Sequence, residues 1–238
     1  APDWRSTASA TKLAALSIGT MIGGGVFVAL AGDLGWQATF LVLSLVLVFL
    51  LCPVLTLGKL DELTGAGADA PESIGGASLL RLLRDAKLRK RLIFLCIACS
   101  IMFPLVGLNR LMLVDIGVPV SEIGWIVGTL GPLSMLLISA VSIPLMRCLG
   151  LVRSMLIFAT VAFAAIVAMA FGFAFQNQLA GIGGAIAVGA GVSGVYVTIA
   201  TKILGWSAGT QPATDYAAYY GISRFASTLM TVAAAQIV

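Results

Sequence analysis

The sequence contains no histidine, and only 10% of its residues are charged, ten of them acidic. Without an imidazole the commonest general base and metal ligand is missing. So few carboxylates leave no cluster for hydrolytic, redox or phosphate-cradling chemistry, so neither an enzyme nor a bound metal or cofactor is expected. Cysteine is sparse too: Cys52, Cys96 and Cys99 fall in apolar runs and Cys148 in a short turn. Cys96-Ile-Ala-Cys99 has the spacing of a redox or metal pair but lacks a second pair, and small packing residues are the better reading.

Polar stretches are equally scarce. A soluble domain runs nearer a quarter charged, whereas this chain is 60% apolar, more hydrocarbon than one soluble globule can hide. A membrane helix needs about 20 mostly apolar residues to cross a core of roughly 30 Å. Seven such windows follow one another, at about 13–31, 36–57, 92–113, 123–146, 154–175, 180–204 and 213–238. The predicted fold is all-α, a polytopic transmembrane helix bundle of about seven spans.

One long polar island, Gly58–Arg91, interrupts the pattern. It carries Lys59, Arg81, Arg84, Lys87, Arg89, Lys90 and Arg91, half of the fourteen basic residues. It divides the chain into 1–57 with two spans, a basic loop over 58–91, and 92–238 with five spans. Leu57–Gly76 reads as a flexible connector, and Ala77–Leu92, with leucines interleaved among cations, as an amphipathic helix on an anionic leaflet.

With the island on the cytoplasmic side, Arg5, Lys12, Arg147, Arg153 and Lys202 join it, so that twelve of the fourteen basic residues lie in or beside cytoplasmic loops. The opposite loops, around Gly32–Gly35, Asp115–Glu122 and Gln176–Gln178, hold no Lys or Arg. The net charge of +4 therefore reports orientation, and no nucleic-acid partner is expected; membrane lipid is. The expected location is a membrane, crossed several times. The first residues are polar, unlike a secretory signal peptide. A chain that opens at Ala1 without methionine and ends inside an apolar window is expected to be a fragment.

Small residues invite close packing. Gly19-Thr-Met-Ile-Gly23 predicts a small-xxx-small face in the first span, and Gly189-Ala-Gly191-Val-Ser-Gly194 matches a dinucleotide fingerprint in letters only. No strand precedes it, and helix packing in lipid explains it better. Trp36 and Trp125 are placed at the outer boundary. Pro104, Gly131-Pro132 and Pro144 are candidate kinks, which rocking carriers use and many polytopic proteins contain.

Chemistry is left to polar groups at membrane depth, where an ionisable side chain costs about 2.5–3.5 kcal/mol and marks a pathway or cavity. The last window holds Asp215, Tyr216, Tyr219, Tyr220 and Arg224, spaced to share a face. Arg224 lies roughly 18 Å in from Pro212 at 1.5 Å per residue. It either lines a wet cavity or braces the bundle through an ion pair or carbonyl contacts. Asp215 is either a loop-end carboxylate near Lys202 or a proton relay. Tyr196, Asn109 and Arg110 are weaker candidates, Tyr196 being also readable as a packing aromatic.

Three stretches carry a family resemblance. Gly35-Trp-Gln-Ala-Thr-Phe40 resembles the fifth-to-sixth helix junction of major facilitator superfamily carriers related to the peptidoglycan-fragment permease (AmpG-like). Leu113-Val-Asp115-Ile-Gly117-Val-Pro-Val-Ser-Glu122-Ile-Gly124-Trp resembles that group's seventh-to-eighth junction. Gly209-Thr-Gln-Pro-Ala-Thr-Asp215-Tyr resembles the start of the eleventh helix, notably in siderophore permeases of the rhizobactin and pyochelin type.

The resemblance implies that the seven windows correspond to helices five to eleven of twelve, a partial major facilitator fold whose halves the basic island joins. It also implies a cavity between the halves, alternating access and coupling to a proton gradient. The expected function is import of a mid-sized polar solute such as a siderophore or peptidoglycan fragment. Arg224, Tyr219, Tyr220, Tyr196 and Asn109 would hold the small-molecule substrate, and Asp215 would serve proton coupling or gating. The alternative is a non-transporting receptor or scaffold that uses its basic loop.

Overall fold

The computed structural model describes residues 3–26, 30, 34–64, 84–119, 123, 126–207 and 212–236, and nearly all of these are helical, with no strand among them. Seven α-helices follow in order: α1 (Asp3–Thr20), α2 (Trp36–Thr64), α3 (Ala86–Asp115), α4 (Gly131–Leu149), α5 (Leu151–Ala174), α6 (Gln178–Trp206) and α7 (Pro212–Ala235). Two short segments, Met21–Val26 after α1 and Ile126–Leu130 before α4, are wound more widely as π-helix. They lie side by side.

Among the described residues, five stretches are long and apolar enough to cross a membrane: Trp36–Pro53, Ala86–Asp115, Gly128–Leu149, Leu151–Ala174 and Gln178–Trp206. This gives the chain the character of a membrane protein. The first and last of the seven expected windows are not among the five. Their helices carry charge, Asp3, Arg5 and Lys12 in α1 and Asp215 and Arg224 in α7, which lowers their mean hydropathy.

α6 is the central helix, with 67% of its span buried inside the molecule, against 6% for that of α2. Along one side of α6, Gly181, Gly184, Gly191 and Gly194 meet Gly172, Met169, Ala162 and Phe158 of α5. A Cβ on Gly191 would come within 2.5 Å of the Ala162 backbone nitrogen, and one on Gly184 within 2.7 Å of the Met169 nitrogen. Two of the three fingerprint glycines are thus packing residues, since only a missing side chain lets the backbones approach so far.

Other small-residue seams differ from expectation. A Cβ on Gly19 or Gly23 would meet nothing within 4 Å, so that predicted face makes no close contact. α1 instead buries Ser6, Ser9, Ala10, Leu13 and Ser17, a stripe at helical spacing, and α1 packs on α4 and α6. The hydroxyl of Ser17 can be buried there because it donates to the Leu13 carbonyl at 2.8 Å, satisfying itself within its own helix.

Helix boundaries correct several expectations. α2 continues to Thr64, so the connector does not start at Leu57; Lys59, Leu60, Glu62 and Leu63 are good helix formers and extend the helix past its apolar run. Residues 65–83 lie outside the described ones, as does most of the island. Its last part is not a separate surface helix from Ala86 onward. Asp85 accepts hydrogen bonds from the amides of Lys87 and Leu88 at 2.7 and 3.3 Å, capping α3, which then runs unbroken into the span. Pro104 and Pro144 lie within continuous helices, and Gly131-Pro132 marks the passage from π to α winding. Gly150, at φ +80°, is the single residue joining α4 to α5.

The two ends of the bundle differ in charge. At one, Arg5, Arg147 and Lys202 line a common cavity, and Arg91 and Lys202 flank Trp206. At the other, Gln178 donates its Nε2 to the Gly117 carbonyl at 3.2 Å, beside exposed Asp115. Trp36 is exposed at the start of α2, its ring 6.2 Å from that of Phe40; Trp125 and Glu122 lie outside the described residues.

Candidate functional site: an aromatic ladder between two cations

α7 starts at Pro212, whose ring suits a first helical turn, and presents two neighbouring stripes. Tyr216, Tyr220 and Arg224, four residues apart, form one. Asp215, Tyr219 and Ser223 form the other. The single shared face expected from spacing is therefore split, since 100° per residue turns position 219 away from 220.

The first stripe builds a ladder with three other helices. Tyr216 and Tyr220 stack with centroids 6.0 Å apart and planes at 8°. Lys12 of α1 donates from Nζ to the Tyr216 hydroxyl at 2.8 Å and lies 4.1 Å from the Tyr220 ring centre. Tyr196 of α6 donates its hydroxyl to that of Tyr220 at 3.2 Å. Phe103 of α3 meets Tyr196 edge-on at 5.9 Å. The guanidinium of Arg224 closes the row 3.8 Å from the Phe103 ring centre.

This geometry gives each cation an aromatic face, an attraction of about 0.5–1 kcal/mol when exposed and about 2 when desolvated. Neither cation is neutralised by an acid in these contacts. An ammonium has three donors and a guanidinium five, so both can serve an anion as well as the rings. Broad tyrosine faces and hydroxyls add stacking and hydrogen-bonding surface suited to a ring-bearing polar solute. Nothing in the row pairs a nucleophile with a base.

Tyr219 does not join the row. It is fully buried, 6.1 Å from Trp206, with its hydroxyl enclosed away from solvent. That makes it a core residue at the basic end. Asp215 is half-buried one turn before it, closer along the helix to Tyr219 than to Arg224.

Asn109 is also apart. It is 3% exposed, and its Nδ2 donates to the Ala185 carbonyl at 3.3 Å, leaving Oδ1 without a partner. It lines a separate apolar cavity of about 180 Å³ between α1, α3, α4 and α6, together with Leu16, Val106, Met135 and Gly189. The side chain of Arg110 lies outside the described ones. Of the expected binding residues, then, Arg224, Tyr220 and Tyr196 come together, whereas Tyr219 and Asn109 do not.

Sequence reasoning missed Lys12 and Phe103. The first apolar window opens after Lys12, which puts it in or beside a loop, but α1 begins at Asp3 and carries Lys12 well into the helix. The signal was present as Ser6, Ser9, Ala10 and Leu13, whose spacing is helical. Phe103 carried none, being one apolar residue in a long apolar run.

No protein-family model, curated protein or solved structure matches the chain.

Proposed function

We propose that the chain is part of a secondary active carrier of the major facilitator type, importing an anionic, mid-sized polar solute, such as a ferric siderophore or a peptidoglycan fragment, into a bacterial cell across the inner membrane. One observation carries this reading: helices from both sides of the basic island meet in one row, α1 supplying Lys12 and α3, α6 and α7 supplying Phe103, Tyr196, Tyr216, Tyr220 and Arg224. A carrier binds its solute between its two halves, and α1 precedes the island while α3, α6 and α7 follow it. A cation at membrane depth is costly and marks a solute pathway, and Arg224 stands midway along α7. In this role Arg224 and Lys12 hold the anionic group, Tyr216, Tyr220 and Tyr196 support its ring or hydroxyls, and Asp215, near the basic end, serves proton coupling or gating.

Uptake of labelled solute by vesicles holding the full-length protein tests the role of Arg224. Arg224→Ala removes the deep cation, and uptake is expected to fall at least about tenfold, the equivalent of one lost charge-assisted contact, while insertion remains normal. Unchanged uptake by a normally inserted Arg224→Ala protein would contradict the assignment.

A further inference from the structure

A cavity of about 460 Å³ opens at the basic end between α1, α4, the start of α5 and α6, away from the tyrosine row. Arg5, Arg147 and Lys202 line it, with Ser6, Thr201 and Trp206, and no carboxylate is among its lining residues. Each cation comes from a different helix, so their meeting is a product of the packing rather than of a local charge run. Arg5 is fitted closely: its Nη1 lies 3.3 Å from where a Cβ on Gly205 would stand, so the absence of a side chain there gives the guanidinium its place. Lys202 rests 5.6 Å from the centre of the Trp206 ring.

Helix C-termini attract cations, which accounts for Arg147 in the last turn of α4 and in part for Lys202 near the end of α6. It does not account for Arg5, which stands in the first turn of α1. A guanidinium pair and an ammonium around one concave space match the donors that a phosphate takes up, two planar forks and a point charge, and hydroxyls at Ser6 and Thr201 suit the same oxygens.

We propose that this cavity binds a phosphate group, as presented by an anionic phospholipid headgroup or by free phosphate. At the end of a bundle of membrane-length helices, between their ends, it lies at the depth where headgroups sit, and basic pockets between spans take anionic lipid. The assignment does not depend on transport.

Lipid retention by the purified full-length protein, read by native mass spectrometry from mixed phosphatidylglycerol and phosphatidylcholine, tests it. Phosphatidylglycerol is expected to be retained in preference, and Arg147→Gln/Lys202→Gln to reduce that preference about fivefold or more, near the effect of one surface cation. Arg89→Gln/Lys90→Gln, which removes two exposed cations from the same end outside the cavity, should leave it unchanged. If lipid shows no preference but inorganic phosphate raises the melting temperature of the native protein and not of the double variant, the phosphate source is free phosphate. If neither lipid nor phosphate distinguishes the native protein from the double variant, or if Arg89→Gln/Lys90→Gln has the same effect as the cavity pair, the proposal is overturned. Should the double variant fail to fold in phosphatidylcholine, Lys202→Gln alone is read in the same way.

Discussion

Lys12 and Arg224 carry like charges, yet they hold different positions and should respond differently to substitution. Lys12 is exposed and tethered by one hydrogen bond to Tyr216; Arg224 is half-buried over Phe103. A planar guanidinium stacks on a ring where an ammonium does not lie flat, so Arg224→Lys is expected to recover only part of the uptake lost in Arg224→Ala. Full recovery would mean that charge alone matters there. Tyr220→Phe removes the acceptor for the Tyr196 hydroxyl, a neutral bond worth about 0.5–1.5 kcal/mol. A drop of that size in solute affinity by equilibrium binding, with unchanged thermal stability, is the expected result; a loss of stability without one of affinity would make the pair a structural brace. Tyr219→Phe should leave affinity unchanged, because its hydroxyl is enclosed beside Trp206 and away from the row.

Elements show where sequence was informative and where it was not. The existence of the long helices was legible, because about 20 successive apolar residues have few other homes, and the reading of Gly191 and Gly194 as packing residues was legible because no strand precedes them. Helix ends were not: α2 outlasts its apolar run to Thr64, and α3 begins in the cationic stretch at Ala86, since helix propensity persists where hydropathy stops. Nor could spacing separate Tyr219 from Tyr220. A spacing rule gives neighbours on a helix, while the partner helices decide which stripe is fully buried and which meets Lys12, Tyr196 and Phe103. At this scale the α5–α6 seam makes a plain prediction. Gly191→Leu, placed against the Ala162 backbone, should destabilise the bundle by about 1–3 kcal/mol or more, seen as a lower melting temperature in detergent. Gly189→Ala, whose Cβ would meet nothing within 4 Å, should change it little. Equal effects at the two positions would contradict the seam.

At the scale of the whole molecule, charge and hydropathy describe one object. Membrane-length helices surround α6, cations gather at one end, and the other carries amides and acid around Gly117 and Gln178. The uneven distribution of Lys and Arg predicts which end faces the cytoplasm. Cys148, exposed beside Arg147 at the basic end, reports it directly. In a variant that keeps only this cysteine, a membrane-impermeant maleimide should label it in inverted membranes and not in intact cells. Labelling in intact cells would reverse the orientation, and with it the assignment of the island to the cytoplasm.

As proposed, these helices import an anionic solute using a proton gradient. The most direct test is uptake of labelled ferric siderophore, and separately of a labelled peptidoglycan fragment, by vesicles holding the folded, full-length protein, with and without an imposed inward proton gradient. Accumulation of at least one of the two that requires the gradient and is lost in Arg224→Ala is the predicted result. No accumulation of either by protein shown to be folded and inserted would contradict the carrier and favour a receptor or scaffold.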